Sequence, residues 1–118
     1  MKRVALLAII AFAMLHSNAE AKNLSGAEIS TMISGKTAYW HDVRGHKTGS
    51  ITWSTNGSQS IKGDLSQKVK KDTGKWHVSG NKLCFNWKQL TKGKDKCEAV
   101  KAVGKNSFQK GGRVFEVK

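Results

Sequence analysis

Proline is absent from this chain of 118 residues, cysteine occurs twice, and eight acidic residues face 21 lysines and arginines. Each scarcity excludes something. Without proline there is no proline-rich linker to divide the chain. Two cysteines cannot build a multi-disulfide scaffold, and a lone pair is a poor metal-binding set. Acidic residues this sparse leave little material for paired-carboxylate catalysis. No second long apolar run follows the first, no repeat recurs at the periods of known arrays, and no G-x-S-x-G nucleophile elbow occurs.

What is there begins with a targeting segment. Lys2 and Arg3 precede an apolar run from Val4 to Leu15, and Ala19-Glu20-Ala21 has the small-x-small form of a cleavage site. Residues 1–21 therefore read as a secretory signal peptide, because the run is too short for an ordinary membrane span. The expected location is periplasmic or secreted. Residues 22–118 then form one domain, whose 19 basic and 7 acidic residues leave a net charge of +12.

The stretch from Thr73 to Trp87 organises the rest. A two-residue turn at Gly80-Asn81 sets Val78 opposite Leu83 and Trp76 opposite Phe85. With Trp87 these residues share one face, and Lys75, His77, Cys84, Asn86 and Lys88 take the other, since strand side chains alternate with period two. Upstream, Leu24–Gly35 predicts the single helix. Ser25 and Glu28 make a capping box, Ile29, Met32 and Ile33 an apolar stripe, and Gly35 a stop. Everything after it reads as strand: Thr37–Val43, Ser50–Ser54, Ser58–Lys62, a weak Leu65–Lys71, the central hairpin, Cys97–Val103, Asn106–Lys110 and Arg113–Val117. Gly57 in a three-residue turn would pair Ile51 with Ile61 and Trp53 with Gln59. Gly111-Gly112 would pair Phe108 with Phe115. The expected fold class is mainly β, a small antiparallel meander of about eight strands in a closed or nearly closed barrel, with one N-terminal helix. A β-sandwich is the alternative.

In an oxidising compartment Cys84 and Cys97 default to a disulfide, closing a loop of about fourteen residues and contributing roughly 3 kcal/mol on the chain-entropy model. Direct cross-strand pairing would set Phe85 against Lys96 and Leu83 against Glu98, so a bulge or departing loop is expected between them. His41, His46 and Asp42 flank the first turn and could in principle hold a metal, but their spacing is not that of a zinc site; no metal and no cofactor is expected. The carboxylates of Asp42, Asp64, Asp72, Asp95, Glu98 and Glu116 are scattered, and no catalytic residue is assigned. Trp76 and Trp87 belong to the core, while Trp40 and Trp53 are the candidate aromatic contacts.

Charge is the main functional signal. Lys68, Lys70, Lys71, Lys75, Lys88, Lys92 and Lys94 are the candidate basic face, with Lys62 and Lys96 beside them. A field of this sign attracts polyanions. In the expected compartment these are acidic lipid, lipopolysaccharide or acidic polysaccharide, or an acidic partner protein; export argues against nucleic acid. The expected function is a non-enzymatic exported binding protein for an anionic envelope component, with peripheral membrane contact. The alternative is a small inhibitor or accessory protein of an envelope enzyme.

The pattern G-x-W-x3-G-x2-L-C-x2-W, here Gly74, Trp76, Gly80, Leu83-Cys84 and Trp87 followed by Cys97, resembles that of small exported bacterial domains without an assigned activity. Leu24–Ile29 and Gly35–Thr37 fit it as well. The resemblance implies export, a β-rich domain and a Cys84–Cys97 bridge. It implies no activity and does not explain the basic charge.

Overall fold

The computed structural model describes residues 22–118; the expected signal peptide lies outside the described residues. Ten strands and one helix follow in order. They are β1 (Lys22–Asn23), α1 (Gly26–Ile33), β2 (Lys36–Asp42), β3 (Thr48–Trp53), β4 (Ser58–Gly63), β5 (Lys71–Ser79), β6 (Lys82–Trp87), β7 (Lys96–Glu98), β8 (Lys101–Gly104), β9 (Ser107–Lys110) and β10 (Arg113–Val117). All pair antiparallel in one sheet of order β1-β8-β9-β10-β2-β3-β4-β5-β6-β7. The sheet is curved into a half-barrel whose edge strands are β1 and β7.

Two expectations need correcting. The described residues form ten strands rather than about eight, and their sheet keeps two edges instead of closing. The added strands are short. Cys97–Val103 divides into β7, which pairs β6, and β8, which pairs β9 and β1. The break falls where Val100 is buried and its carbonyl accepts the Leu24 N–H at 2.7 Å. Leu65–Lys71 is a loop rather than a strand. Leu65 is buried, and Gly63 N–H bonds to Lys70 C=O, so the chain bends back on itself before β5 begins at Lys71.

The central hairpin has the expected register, with Val78 against Leu83, Trp76 against Phe85 and Trp87 against Gly74. Ile51–Ile61, Trp53–Gln59 and Phe108–Phe115 are also paired as the turns predict, and Gly57 takes the positive φ (90°) that its bulge requires. These inward residues form the core with Ala38, Trp40, Ile29 and Ile33. Trp53 packs against both Phe108 and Phe115, with centroids 6.0 and 5.9 Å away.

The helix forms where the capping box places it. Ser25 Oγ accepts the Glu28 N–H, and Glu28 Oε1 accepts the Ser25 N–H. Its N-terminus is seated on the β5–β6 turn, because Asn81 Oδ1 accepts the Gly26 N–H at 3.0 Å. A Cβ at Gly26 would collide with the Gly80 carbonyl. The helix therefore covers the end of the half-barrel at which β5 turns into β6. The opposite end, where β2, β6 and β9 finish and β10 begins, is the mouth.

Candidate functional site

Two surfaces carry concentrated charge, on opposite sides of the same sheet. The first is the outer face of β3 to β6. Lys62 on β4 pairs directly with Lys71 on β5, and Lys75 stands opposite Asn86. The Lys88 N–H bonds to the Thr73 carbonyl at 3.0 Å, which places Lys88 beside Thr73, between Lys71 and Lys75. All four lysines are exposed. Thr37, Thr52, Ser60 and Thr73 stand in register across β2, β3, β4 and β5, a row of hydroxyls perpendicular to the strands. The first two share a 2.9 Å hydrogen bond. Neighbouring members of such a row are about 4.8 Å apart. Ser50, Lys62, Lys71 and Lys88 rim a shallow groove over this row.

Period-two alternation explains the face. Every lysine here is out of phase with Ile61, Trp76, Phe85 or Trp87, so burying the aromatics forces the amines into water. Of the residues expected on the basic face, Lys71, Lys75 and Lys88 are brought together. Lys68 and Lys70 are exposed in the β4–β5 loop, and Lys92 and Lys94 in the β6–β7 loop. The sheet register does not place those four in the ladder.

The aromatic expectation is corrected. Trp53 is 1 % and Trp40 is 2 % exposed, so neither offers a free face to a ligand on the outer surface. Both are in phase with Ala38 or Ile51 and turn inward. The seat of Trp40 needs two glycines on the neighbouring strands. A Cβ at Gly49 would stand 2.5 Å from Cζ2 of that indole, and one at Gly63 3.0 Å from it.

The second surface is the mouth, a cavity of about 420 Å³. Its apolar walls include Trp40, Phe85, Trp87 and Leu65; Lys96, Glu98, Lys110 and Arg113 supply charge. The Lys110 side chain is only 11 % exposed. Its Nζ lies 3.3 Å from Glu98 Oε1 and 3.7 Å from the centre of the Phe85 ring. Burial pushes the Lys110 amine down to about 8, against the opposing pull of Glu98. Burial likewise lowers Arg113, whose guanidinium lies 4.7 Å above the Trp40 ring. The Trp40 Nε1–H is buried and has no hydrogen-bond partner among the described residues.

Cys84 and Cys97 are bonded, with S–S 2.03 Å, and they pair directly across β6 and β7. Of the two expected devices the bulge is absent from this pairing, and a loop over residues 88–95 separates the two strands. Lys96 falls opposite Phe85 and Glu98 opposite Leu83, the arrangement that looked poorly patterned. It is accommodated because β7 runs along the mouth, where Glu98 meets Lys110 instead of apolar core. The chain as a whole finds no match among protein-family models, curated proteins or solved structures.

The mouth was missed from sequence, although a signal exists. Lys110 is two residues from Phe108, and Arg113 two from Phe115, so both are in phase with the core. Charged residues at inward positions near a turn mark the rim of a barrel-like sheet. Asp72, one of the scattered carboxylates, has a structural task. It is 5 % exposed and accepts N–H bonds from Gln89 at 3.0 Å and Leu90 at 2.9 Å, fixing the chain as it leaves β6. Asp42 is a turn clamp. Despite some desolvation, the N–H groups of Lys47, His46 and Gly45 hold its carboxyl below the usual range. Among the described residues, no three His, Cys, Asp or Glu side chains are grouped as metal ligands would be.

Proposed function

We propose that the protein is a non-enzymatic, exported binding protein that holds an anionic envelope polymer or lipid surface against the outer face of β3 to β6. One observation carries this reading: Lys62, Lys71, Lys75 and Lys88 stand exposed on one face, and among the described residues none is in a salt bridge. The unpaired positive charge of this ladder is available to phosphate or carboxylate groups arriving in succession along a chain or membrane. The hydroxyl row through Thr52, Ser60 and Thr73 adds donors and acceptors suited to sugar hydroxyls. Displacement of counterions makes such binding steeply salt-dependent, by the same physics that governs polyanionic nucleic acids. The likeness to small exported bacterial domains belongs to this proposal and supports export only.

The test is retention on heparin resin and on phosphatidylglycerol vesicles at two salt concentrations. Charge reversal of Lys62, Lys71, Lys75 and Lys88 together should abolish binding at moderate salt. Reversal of Lys22, Lys101, Lys105 and Lys118, elsewhere on the domain, should weaken it far less. Equal losses would reduce the effect to net charge, with no site. Full retention by the first set, together with a stoichiometric complex with one envelope enzyme, would put the inhibitor reading in its place.

A further inference from the structure

The mouth is a different surface from the lysine ladder, and nothing in polymer binding on the outer face calls for it. A solvated face has no use for an ammonium group buried on the other side of the sheet. Lys110 has three N–H donors. Among the described residues one finds Glu98 Oε1, and the amine also sits over the Phe85 ring. Neither exhausts the donors, and the group lines an open cavity.

The charges around that cavity do not balance. Lys96 approaches from β7, Arg113 from β10, Lys47 from the β2–β3 turn and Lys110 from the end of β9, against Glu98 from β7 and Asp42 from β2. Asp42 is already committed to backbone N–H groups of its own turn. The cations thus outnumber the carboxylates by two, in a site partly withdrawn from water. The remaining wall is apolar: Trp40, Phe85, Trp87, Leu65 and Leu90. A concave site with apolar walls and a few convergent polar groups is the usual form of a small-molecule pocket.

We propose that the mouth binds a small organic anion, a monocarboxylate with an apolar body, its carboxylate on Lys110 and Arg113 and its body against Trp87, Phe85 and Leu65. The carboxylate supplies the negative charge that the pocket lacks, and a charge-assisted hydrogen bond to a desolvated amine is stronger than one made in water. The apolar body displaces water from the aromatic wall. A free inorganic anion satisfies only the first condition and an alcohol only the second, so the ligand needs both.

Binding of this kind is linked to a proton. Lys110 loses its proton near pH 8 in the empty pocket, and a bound carboxylate holds that proton in place. Affinity for the anion should therefore be highest below pH 8 and fall as pH rises through and beyond it. Arg113 stays charged over this range and does not contribute to the fall.

The experiment uses octanoate, with octanamide as the neutral counterpart of the same shape, titrated by calorimetry and by tryptophan fluorescence. Octanoate should bind one to one, at least about tenfold tighter than octanamide at pH 7, with the difference shrinking at pH 9.5. Lys110→Met should cut the preference for the anion to the part that Arg113 still supplies, while leaving the weak affinity for octanamide. Reversal of Lys75 and Lys88 on the outer face should change neither. Equal binding of octanoate and octanamide, a pH-independent difference, or full octanoate affinity in Lys110→Met would overturn the proposal. So would absence of octanoate binding at pH 7. Because the outer-face variants are read in the same titration, loss of one site does not pass for loss of the other.

Discussion

Lys75 and Lys110 are chemically identical side chains that the sheet has placed in opposite circumstances. Lys75 projects from the outer face of β5 into water, opposite Asn86. Lys110 ends β9 on the inward side, in phase with Phe108, and is held between Glu98 and the Phe85 ring. The difference is one step of strand phase relative to the nearest core aromatic. It decides whether a lysine contributes long-range field or a short-range, desolvated contact. The outer face works by number, since no single solvated amine contributes much. The mouth works by position, since one buried amine is expensive to keep charged and is strengthened by anything that compensates it.

The largest test of this contrast is to remove the ring that Lys110 rests on. Phe85 packs in the core cluster. Phe85→Ala should cost about 3–5 kcal/mol, by loss of burial and creation of a cavity. That is a large share of the stability of a domain this size. Chemical denaturation monitored by far-UV circular dichroism would measure it. The neighbouring outward change, Asn86→Ala, should cost much less. A comparable loss from both would mean that the inward and outward assignments along β6 are wrong.

The second test uses titration. The Lys110 pKa is about 8 in the folded protein and near the ordinary 10.5 when unfolded. Between those values the unfolded chain binds more protons than the folded one, so stability rises with pH across this window. Below pH 8 the penalty of a buried charge is fully present. Above about pH 10.5 it is gone, and the total change is on the order of 3 kcal/mol. Lys110→Met should flatten that rise and be the more stable protein at pH 7. A parallel rise in wild type and variant would show that another group is responsible.

A third test of about the same size concerns β7. This three-residue edge strand carries both Lys96 and Glu98 and is held to β6 by the Cys84–Cys97 bond. Replacing both cysteines by serine should cost roughly 3 kcal/mol. Beyond that, it should release Glu98 from Lys110 and lower the amine further. The pH rise of the previous test should then begin at a lower pH. Loss of stability with an unchanged pH profile would mean that β7 keeps its place without the bridge.

How much of this was legible in the sequence follows from the same contrast. Hairpin registers were legible because Gly57, Gly80-Asn81 and Gly111-Gly112 fix turn lengths, and turn length fixes which aromatics meet. The helix was legible because Ser25 and Glu28 mark its start. The outer lysines at 75 and 88 followed from the register of one hairpin, whereas Lys71 was placed only by its position just before it. The mouth did not follow, because it is assembled from β2, β6, β7, β9 and β10. Their juxtaposition depends on β10 returning to pair with β2, with Phe115 opposite Trp40. No local pattern encodes that return. The same non-local pairing buried Trp40 and Trp53, which strand propensity alone left free to face either way. Lys96 and Glu98 looked misplaced for the reason that the mouth was not yet known to lie beside them.

The smallest expected effect is the one on which the outer-face reading depends. Among the described residues Lys62, Lys71, Lys75 and Lys88 make no salt bridge, and these lysines are exposed. Exposed charges of this kind contribute within about ±0.5 kcal/mol each to folding. Lys62 and Lys71 are directly cross-strand, and like charges so placed repel slightly. Converting Lys62 alone to Glu should therefore leave the melting temperature unchanged or raise it a little, by creating an opposite-charge pair with Lys71. The same change removes two units of positive charge from the ladder, so retention on heparin should fall and its salt dependence should become shallower. Differential scanning calorimetry and a salt series on the resin measure the two quantities independently. A fall in both would make Lys62 a structural residue and weaken the case for the ladder. A fall in retention alone, with Lys110→Met retained as firmly as wild type, would separate the two faces of the sheet by function as the structure separates them by phase.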